Sequence, residues 1–370
     1  MTTLGASRVS AAVERVDARA LTFPTDGPEQ DGTLSWDSTS LVLVEVEAAG
    51  EVGIGYSYGA GVAAELIRSQ LAGLVRGSDA MSVQATWWST QRAVRNAGRP
   101  GVCAHAISAL DIALWDLKAR LLAVPLAALL GLSRDRVPVY GSGGFTSYSE
   151  ARLCSQLGGW SEAGLGAVKL KVGADPGDDV RRVGLAREAV GPGCALFVDA
   201  NGAYERKQAL VLAGDFADLG VSWFEEPVSS DDLDGLRLLR DRAPAGMRIA
   251  AGEYGYHGVY FRRMLEAGAV DVLQADATRC LGITGFLQAA ALADAFGVPI
   301  SAHTSPAVHM HACCAVGRIA PLEWFHDHVL IEAALFDGAP EVVDGAISPD
   351  MGRPGLGLEL NRDQVQRHAV

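Results

Sequence analysis

Apolar residues fall along this chain in two rhythms. In the first stretch they come in strand-like runs over residues 9–21 and 41–47, on either side of a polar, Gly- and Pro-containing segment, 22–40, that reads as a loop. The second run leads into Gly50-Glu51-Val52-Gly53-Ile54-Gly55, a turn-rich edge. Helical patterns follow over 63–74 and 83–94. Ile107, Leu110, Leu114, Leu117 and Leu121 then recur at spacings of three and four, which puts one apolar face along a helix. Gly131 and Pro138 close this part, predicted as a small α+β domain over residues 1–135. Beyond it, short apolar runs alternate with helical patterns, as in parallel β/α units. The runs are 137–140, 167–172, 195–198, 221–224, 248–251, 270–274, 298–301 and 320–324. Eight strands with helices between them predict an α/β barrel over 136–330, and such a barrel places its chemistry at the C-terminal ends of the strands. The turn-rich remainder, 331–370, is expected to pack back on the first domain.

Composition narrows the class. The chain has 370 residues, is 49% hydrophobic and carries a formal charge of −13. That charge disfavours nucleic acid or an anionic membrane as partner, and requires local positive charge wherever an anion binds. The six cysteines show no C-x-x-C and no zinc spacing, so reduced thiols are expected. Residues 1–23 carry charges throughout and lack a signal-peptide run, and the longest apolar run, 121–132, is broken by Pro125. A cytoplasmic enzyme is the expectation.

The strand ends carry the candidate chemistry. Along 167–172, Lys169 and Lys171 share one face and Val168, Leu170 and Val172 the other. Two like charges side by side and partly dehydrated make one ammonium easier to deprotonate, giving a candidate general base. Two solvated lysines on an edge strand are the alternative. Asp199, Glu225 and Glu253 close three consecutive strands. Crowded together they would repel, and a hard divalent cation, Mg²⁺ or Mn²⁺, resolves this with all-oxygen ligation. Three separate ion pairs are the alternative, disfavoured because a barrel brings these positions together. Glu226 is out of phase with Glu225 and is not chosen as a ligand. Asp276 and His303 end adjacent strands, where a carboxylate would fix the imidazole tautomer and leave the other nitrogen free for proton transfer. Glu323, next in the ring, is expected to be neutral and to donate a hydrogen bond. His309, His311, His326 and His328 read as structural or supporting groups, and His105 as a capping or core residue.

In this order the motifs Lys169-x-Lys171, Asp199-x-Asn201, Glu225-Glu226-Pro227, Gly252-Glu253, Asp276 with His303, and Glu323 resemble the enolase superfamily, and within it the mandelate racemase group. The resemblance spans most of the chain. It implies a modified TIM barrel, (β/α)7β, with an N-terminal α+β capping domain completed by the C-terminal segment. It implies that Asp199, Glu225 and Glu253 bind Mg²⁺. It makes Lys171 the base on one face of a small carboxylate substrate, with Lys169 contacting the carboxylate, and His303 with Asp276 the acid/base on the other face. Glu323 would hydrogen-bond the substrate carboxylate. Leu281-Gly282 stands where the family usually has Gly-Gly. Such sites enolise a carboxylate through an enediolate. The favoured outcome is dehydration of an acid sugar to a 2-keto-3-deoxy acid; racemisation or epimerisation of an α-substituted carboxylate is the alternative, and a binding barrel without turnover a third. Family members are commonly even-numbered assemblies, so a homo-oligomer is expected. Substrate-specific loops would be 22–40 and 53–61, with Thr22, Thr25, Asp26, Glu29, Gln30 and Asp31 supplying polar reach.

Overall fold

The computed structural model describes residues 10–370, so residues 1–9, including the start of the first expected strand, lie outside the described residues. The chain opens with an antiparallel sheet of β1 (Arg15–Gln30), β2 (Ser35–Ala48) and β3 (Glu51–Tyr58). One part of this sheet differs from the expectation. Segment 22–40 is not a loop, because β1 and β2 pair as a long hairpin whose register runs from Arg15↔Glu47 to Gln30↔Ser35. Pro24, Gly27 and Pro28, which suggested a loop, lie at a register shift between Pro24 and Glu29, a bulge that bends the hairpin without ending it. The expected turn-rich edge at 50–55 is a turn at Ala49–Gly50 leading into β3, the edge strand of this sheet.

Both faces of β2 are buried over Leu41–Val46, which explains the continuous apolar run there. Val42, Val44 and Val46 pack with Ala106, Leu110, Ala113 and Leu117 of the helix Val102–Leu121. Leu41 and Leu43 face the core shared with the barrel. Gly53 and Gly55 let that helix approach closely, since a Cβ on either would collide with the Ala113 or Ala109 carbonyl.

Eight parallel strands follow: β4 (Val137–Gly143), β5 (Ala167–Lys171), β6 (Ala195–Asp199), β7 (Val221–Glu225), β8 (Arg248–Ala251), β9 (Val272–Ala275), β10 (Ile300–Ala302) and β11 (Leu322–Phe325). Their order is β10-β9-β8-β7-β6-β5-β4-β11. Between β10 and β11 the contact is thinner: Ile300 N donates to Arg318 O at 3.1 Å and Ala320 N to Ile300 O at 2.7 Å. A helix follows each strand from β4 to β10, so the sheet is a curled (β/α)7β barrel under an N-terminal cap. Inside, Tyr140, Phe197 and Trp223 form an aromatic floor, with Phe197 stacked on Trp223 at 5.0 Å.

The C-terminal segment reaches both parts. Ala346–Ile347 pairs with β4. The helix Arg362–His368 lies against the cap, where Arg362 meets Glu45 at 2.6 Å and His368 stacks on Phe23 at 4.1 Å. Among the described residues no helix is long and apolar enough to cross a membrane.

Candidate active site

Strand alternation delivers the site. In β5, β6 and β7, Lys169, Phe197 and Trp223 are in register one layer below Lys171, Asp199 and Glu225. The lower layer is the aromatic floor with Lys169 above it, and the upper layer is charged. Glu253 follows β8 through Gly252, whose φ of +134° and whose contact with the Gln274 carbonyl exclude any side chain. Carboxylate oxygens of Asp199, Glu225 and Glu253 lie within 4.8 Å of one another, and all three residues are buried. Glu225 is aimed by Trp223, whose Nε1–H donates to its Oε2 at 3.0 Å. Asp199 Oδ1 accepts from Asn201 N at 2.9 Å. Glu253 Oε2 is buried without a hydrogen-bond partner, although His303 Nε2 stands 3.2 Å away outside hydrogen-bond geometry. Three buried carboxylates, one with a free oxygen, suit a hard divalent cation.

Glu226, one residue on, is also buried, adopts φ +38° and leaves Oε1 unpartnered. Burial, then Glu253, pushes its carboxyl well above the usual range. Non-glycine residues with positive φ cluster at these strand ends: Asn201, Glu226, Thr304 and Ser305. Such strain persists where surrounding structure holds functional groups in place. Leu281 joins them at φ +71°, at a cost of roughly 1–2 kcal/mol for a left-handed L-residue. Its side chain is buried in the cap core, while Ser108 Oγ receives the Leu281 and Gly282 amides at 2.9 and 3.0 Å. A leucine therefore holds this turn by packing.

The lysines differ from expectation. Their mutual repulsion does not set their protonation. Lys169 Nζ lies 2.5 Å from Glu225 Oε1 and 2.8 Å from Glu323 Oε1, and Lys171 Nζ lies 2.5 Å from Asp199 Oδ2. Burial would lower both pKa values, but Glu225 and Glu323 raise that of Lys169 and Asp199 raises that of Lys171, so both are held protonated. Glu323 is corrected too. Burial raises its pKa, yet Lys169, His303 and Lys171 outweigh burial and hold it ionised. It accepts from Ser142 Oγ at 2.6 Å and from Thr304 N at 3.1 Å, so it is an acceptor here.

Across the barrel, His303 Nδ1 meets Asp276 Oδ2 at 2.9 Å, and Asp276 Oδ1 accepts from Thr278 N at 2.7 Å. Burial alone would raise the Asp276 pKa, but the bond to His303 takes it far below the usual range. His303 Nε2 is left facing Glu253 and Glu323. Asp276 also meets Arg279 at 3.5 Å, and Arg279 Nη1 lies 3.3 Å from Glu253 Oε1. The sequence reading did not single out Arg279, although it stands three residues after Asp276. It also missed Trp223, Ser142 and Thr304, of which Trp223 is on the face of Glu225 two residues away.

A cavity of about 410 Å³ opens over these groups, between barrel and cap. Lys171, Glu253, Arg279 and His303 line one end, and Trp36, Thr39, Tyr58 and Asp327 the other. Of the cap residues expected to reach the substrate, only Asp31 lines it. Thr22 pairs with Ser40 at 3.2 Å, Thr25 with Gly27 O at 2.7 Å, and Asp26 with Arg152 and His326 at 2.6 and 3.0 Å. Glu29 is fully buried, and Gln30 O receives Thr146. Of the remaining histidines, His309 accepts from Ala277 N at 2.8 Å, His311 meets Leu356 O at 3.1 Å, and His328, which lines the cavity, stacks on Tyr58 at 3.4 Å.

Residues 151–364 match the family described as enolase C-terminal domain-like, and 16–131 the mandelate racemase / muconate lactonizing enzyme N-terminal domain. The chain is 31% identical to D-galactarolactone cycloisomerase of Agrobacterium fabrum, covering 95% of this chain and 97% of that protein. It is 32% identical to L-talarate/galactarate dehydratase of Salmonella typhimurium, over 89% and 82% of the two chains. Among solved structures, a mandelate racemase/muconate lactonizing enzyme-like protein from Rubrobacter xylanophilus has a TM-score of 0.95 at 55% identity, covering 97% of this chain and 100% of that one. A racemase from Streptomyces coelicolor with bound magnesium has a TM-score of 0.91 at 32% identity, covering 97% and 100%. The chain belongs to the enolase superfamily, in its mandelate racemase / muconate lactonizing enzyme group, and is an enzyme of the lyase or isomerase kind.

Proposed function

We propose that this protein is a Mg²⁺-dependent enzyme that removes the proton alpha to a carboxylate of an acid sugar and dehydrates it to a 2-keto-3-deoxy acid. The observation that carries this reading is the placement of Lys171 and His303 across the ring from each other, on β5 and just after β10, with Asp199, Glu225 and Glu253 on the strands between. Held by those carboxylates, Mg²⁺ supplies positive charge that stabilises a developing enediolate and offsets the charge of Asp199 that keeps Lys171 protonated. His303 Nε2, its tautomer fixed by Asp276, and Lys171 Nζ are the two groups that take the α-proton and deliver a proton to the departing β-hydroxyl. Lys169 holds a substrate carboxylate oxygen from below, and Glu323 keeps Lys169 and the Thr304 amide in place.

The cycloisomerase relative supports a second reading, in which the same enolisation precedes cleavage or closure of a ring oxygen bond. The test incubates enzyme and Mg²⁺ with acid sugars in D₂O, follows loss of the C2–H signal by NMR and traps keto products as semicarbazones. A keto acid supports dehydration. An α-substituted acid that loses optical activity without change in mass, while no acid sugar reacts, replaces it with racemisation.

A further inference from the structure

The cavity is electrically lopsided. Its cationic side chains, Lys171 and Arg279, are both at the carboxylate end and both already paired, Lys171 with Asp199 and Arg279 with Glu253 and Asp276. At the cap end the lining offers hydroxyls, an indole and carboxylates: Trp36, Ser38, Thr39, Ser40 and Asp327, with Asp31 at the rim. His328 there is no cation, because burial holds its pKa well below the ordinary value. Asp327 is 5% exposed, and its Oδ2 accepts from Trp36 Nε1 at 3.3 Å and from Thr39 Oγ1 at 3.1 Å. Behind it stands Glu29, fully buried. Burial, then the neighbouring Asp327, pushes the Glu29 carboxyl up to about 10. Arg152 is paired with Asp26 at 2.6 Å, and His326 Nε2 meets the other Asp26 oxygen at 3.0 Å.

We propose that the substrate of this site is a monocarboxylic sugar acid, an aldonate, whose uncharged polyol tail lies at the Asp327 end, rather than a dicarboxylic aldarate. The inference rests on the acid-sugar reading above. A carboxylate accepts hydrogen bonds from sugar hydroxyls, whereas a second substrate carboxylate would be desolvated against Asp327 with no cation to meet it. The indole of Trp36 adds an apolar face for the C–H edge of the chain. Negative charge placed where the unwanted ligand is negative rejects that ligand without weakening the wanted one.

The experiment compares matched pairs, each hexonate with the aldarate of the same configuration, scored by C2–H exchange in D₂O and by keto-acid formation with saturating Mg²⁺. The expected result is kcat/KM at least about 100-fold higher for the aldonate of the reactive configuration. Asp327→Asn should narrow that gap by about 10-fold, chiefly by raising turnover of the aldarate. Aldarate turnover by the wild-type enzyme equal to or above that of the aldonate overturns this inference and leaves the proposed function standing. Exchange in neither class, with exchange in another α-substituted acid, overturns both.

Discussion

Replacing Asp276 with Asn tests the histidine half of the site. Asp276 is 1% exposed and joined to His303 Nδ1 at 2.9 Å, with its other oxygen held by the Thr278 amide at 2.7 Å. Asparagine keeps the shape and removes the charge. A charge-assisted bond of this kind contributes about 1.5–3 kcal/mol. The imidazole then no longer has its proton fixed on Nδ1, and Nε2 is no longer reliably the free base. Exchange on the His303 face should fall by roughly 10²–10⁴. Exchange on the Lys171 face should persist. The pH dependence of stability has a definite sign. The folded pKa of Asp276 lies below its unfolded value, so its contribution is present above the unfolded value and lost as pH falls through the folded one. At neutral pH the variant should therefore unfold at lower denaturant than wild type, a difference that closes in strong acid. The assay is C2–H exchange of both C2 epimers by NMR at several pH values, beside urea unfolding. Exchange of the His303-face epimer within about threefold of wild type at every pH would refute the reasoning.

Trp223→Phe removes the indole donor to Glu225 but keeps a ring on Phe197, so Mg²⁺ affinity should fall roughly 10–100-fold by titration calorimetry, beside a lower Tm from the void left where Trp223 is fully buried. Glu29→Gln should stabilise the protein by about 1–3 kcal/mol near pH 8 by relieving a buried carboxyl beside Asp327. Because the folded pKa is raised, the wild-type deficit is absent below the unfolded value and grows as pH rises toward 10, so Tm measured at pH 4 should hardly change. Gly252→Ala forces a Cβ onto the Gln274 carbonyl at a φ of +134° and should displace Glu253, costing about 1–3 kcal/mol and most Mg²⁺ binding.

The barrel was legible because buried parallel strands are short, continuously apolar and end in polar residues; 248–251 was read with its observed limits. The cap hairpin was not. Its outer half, beyond Leu21 and Leu41, extends as polar residues over the barrel mouth, and Pro24, Gly27 and Pro28 sit at its bulge. Those signals mark turns when read locally, and only the pairing across to β2 shows otherwise. The lysines failed for a related reason. Lys169 and Lys171 are neighbours in sequence, so their repulsion is visible there, whereas Glu225, Glu323 and Asp199 reach them from other strands. Arg279 and Asp327 follow their strands in loops or helix starts, where position in the chain says little about which way a side chain turns.

In the proposed reaction Lys171 and His303 move a proton at the α-carbon of a carboxylate held over Asp199, Glu225 and Glu253. The most direct measurement is C2–H exchange of the reactive sugar acid in D₂O by three proteins side by side: wild type with Mg²⁺, wild type exhaustively chelated, and Glu253→Gln with Mg²⁺. Exchange is expected in the first and none above background in the other two, with thermal unfolding showing all three folded. Exchange at the wild-type rate after chelation, or in Glu253→Gln, would contradict the proposed reaction.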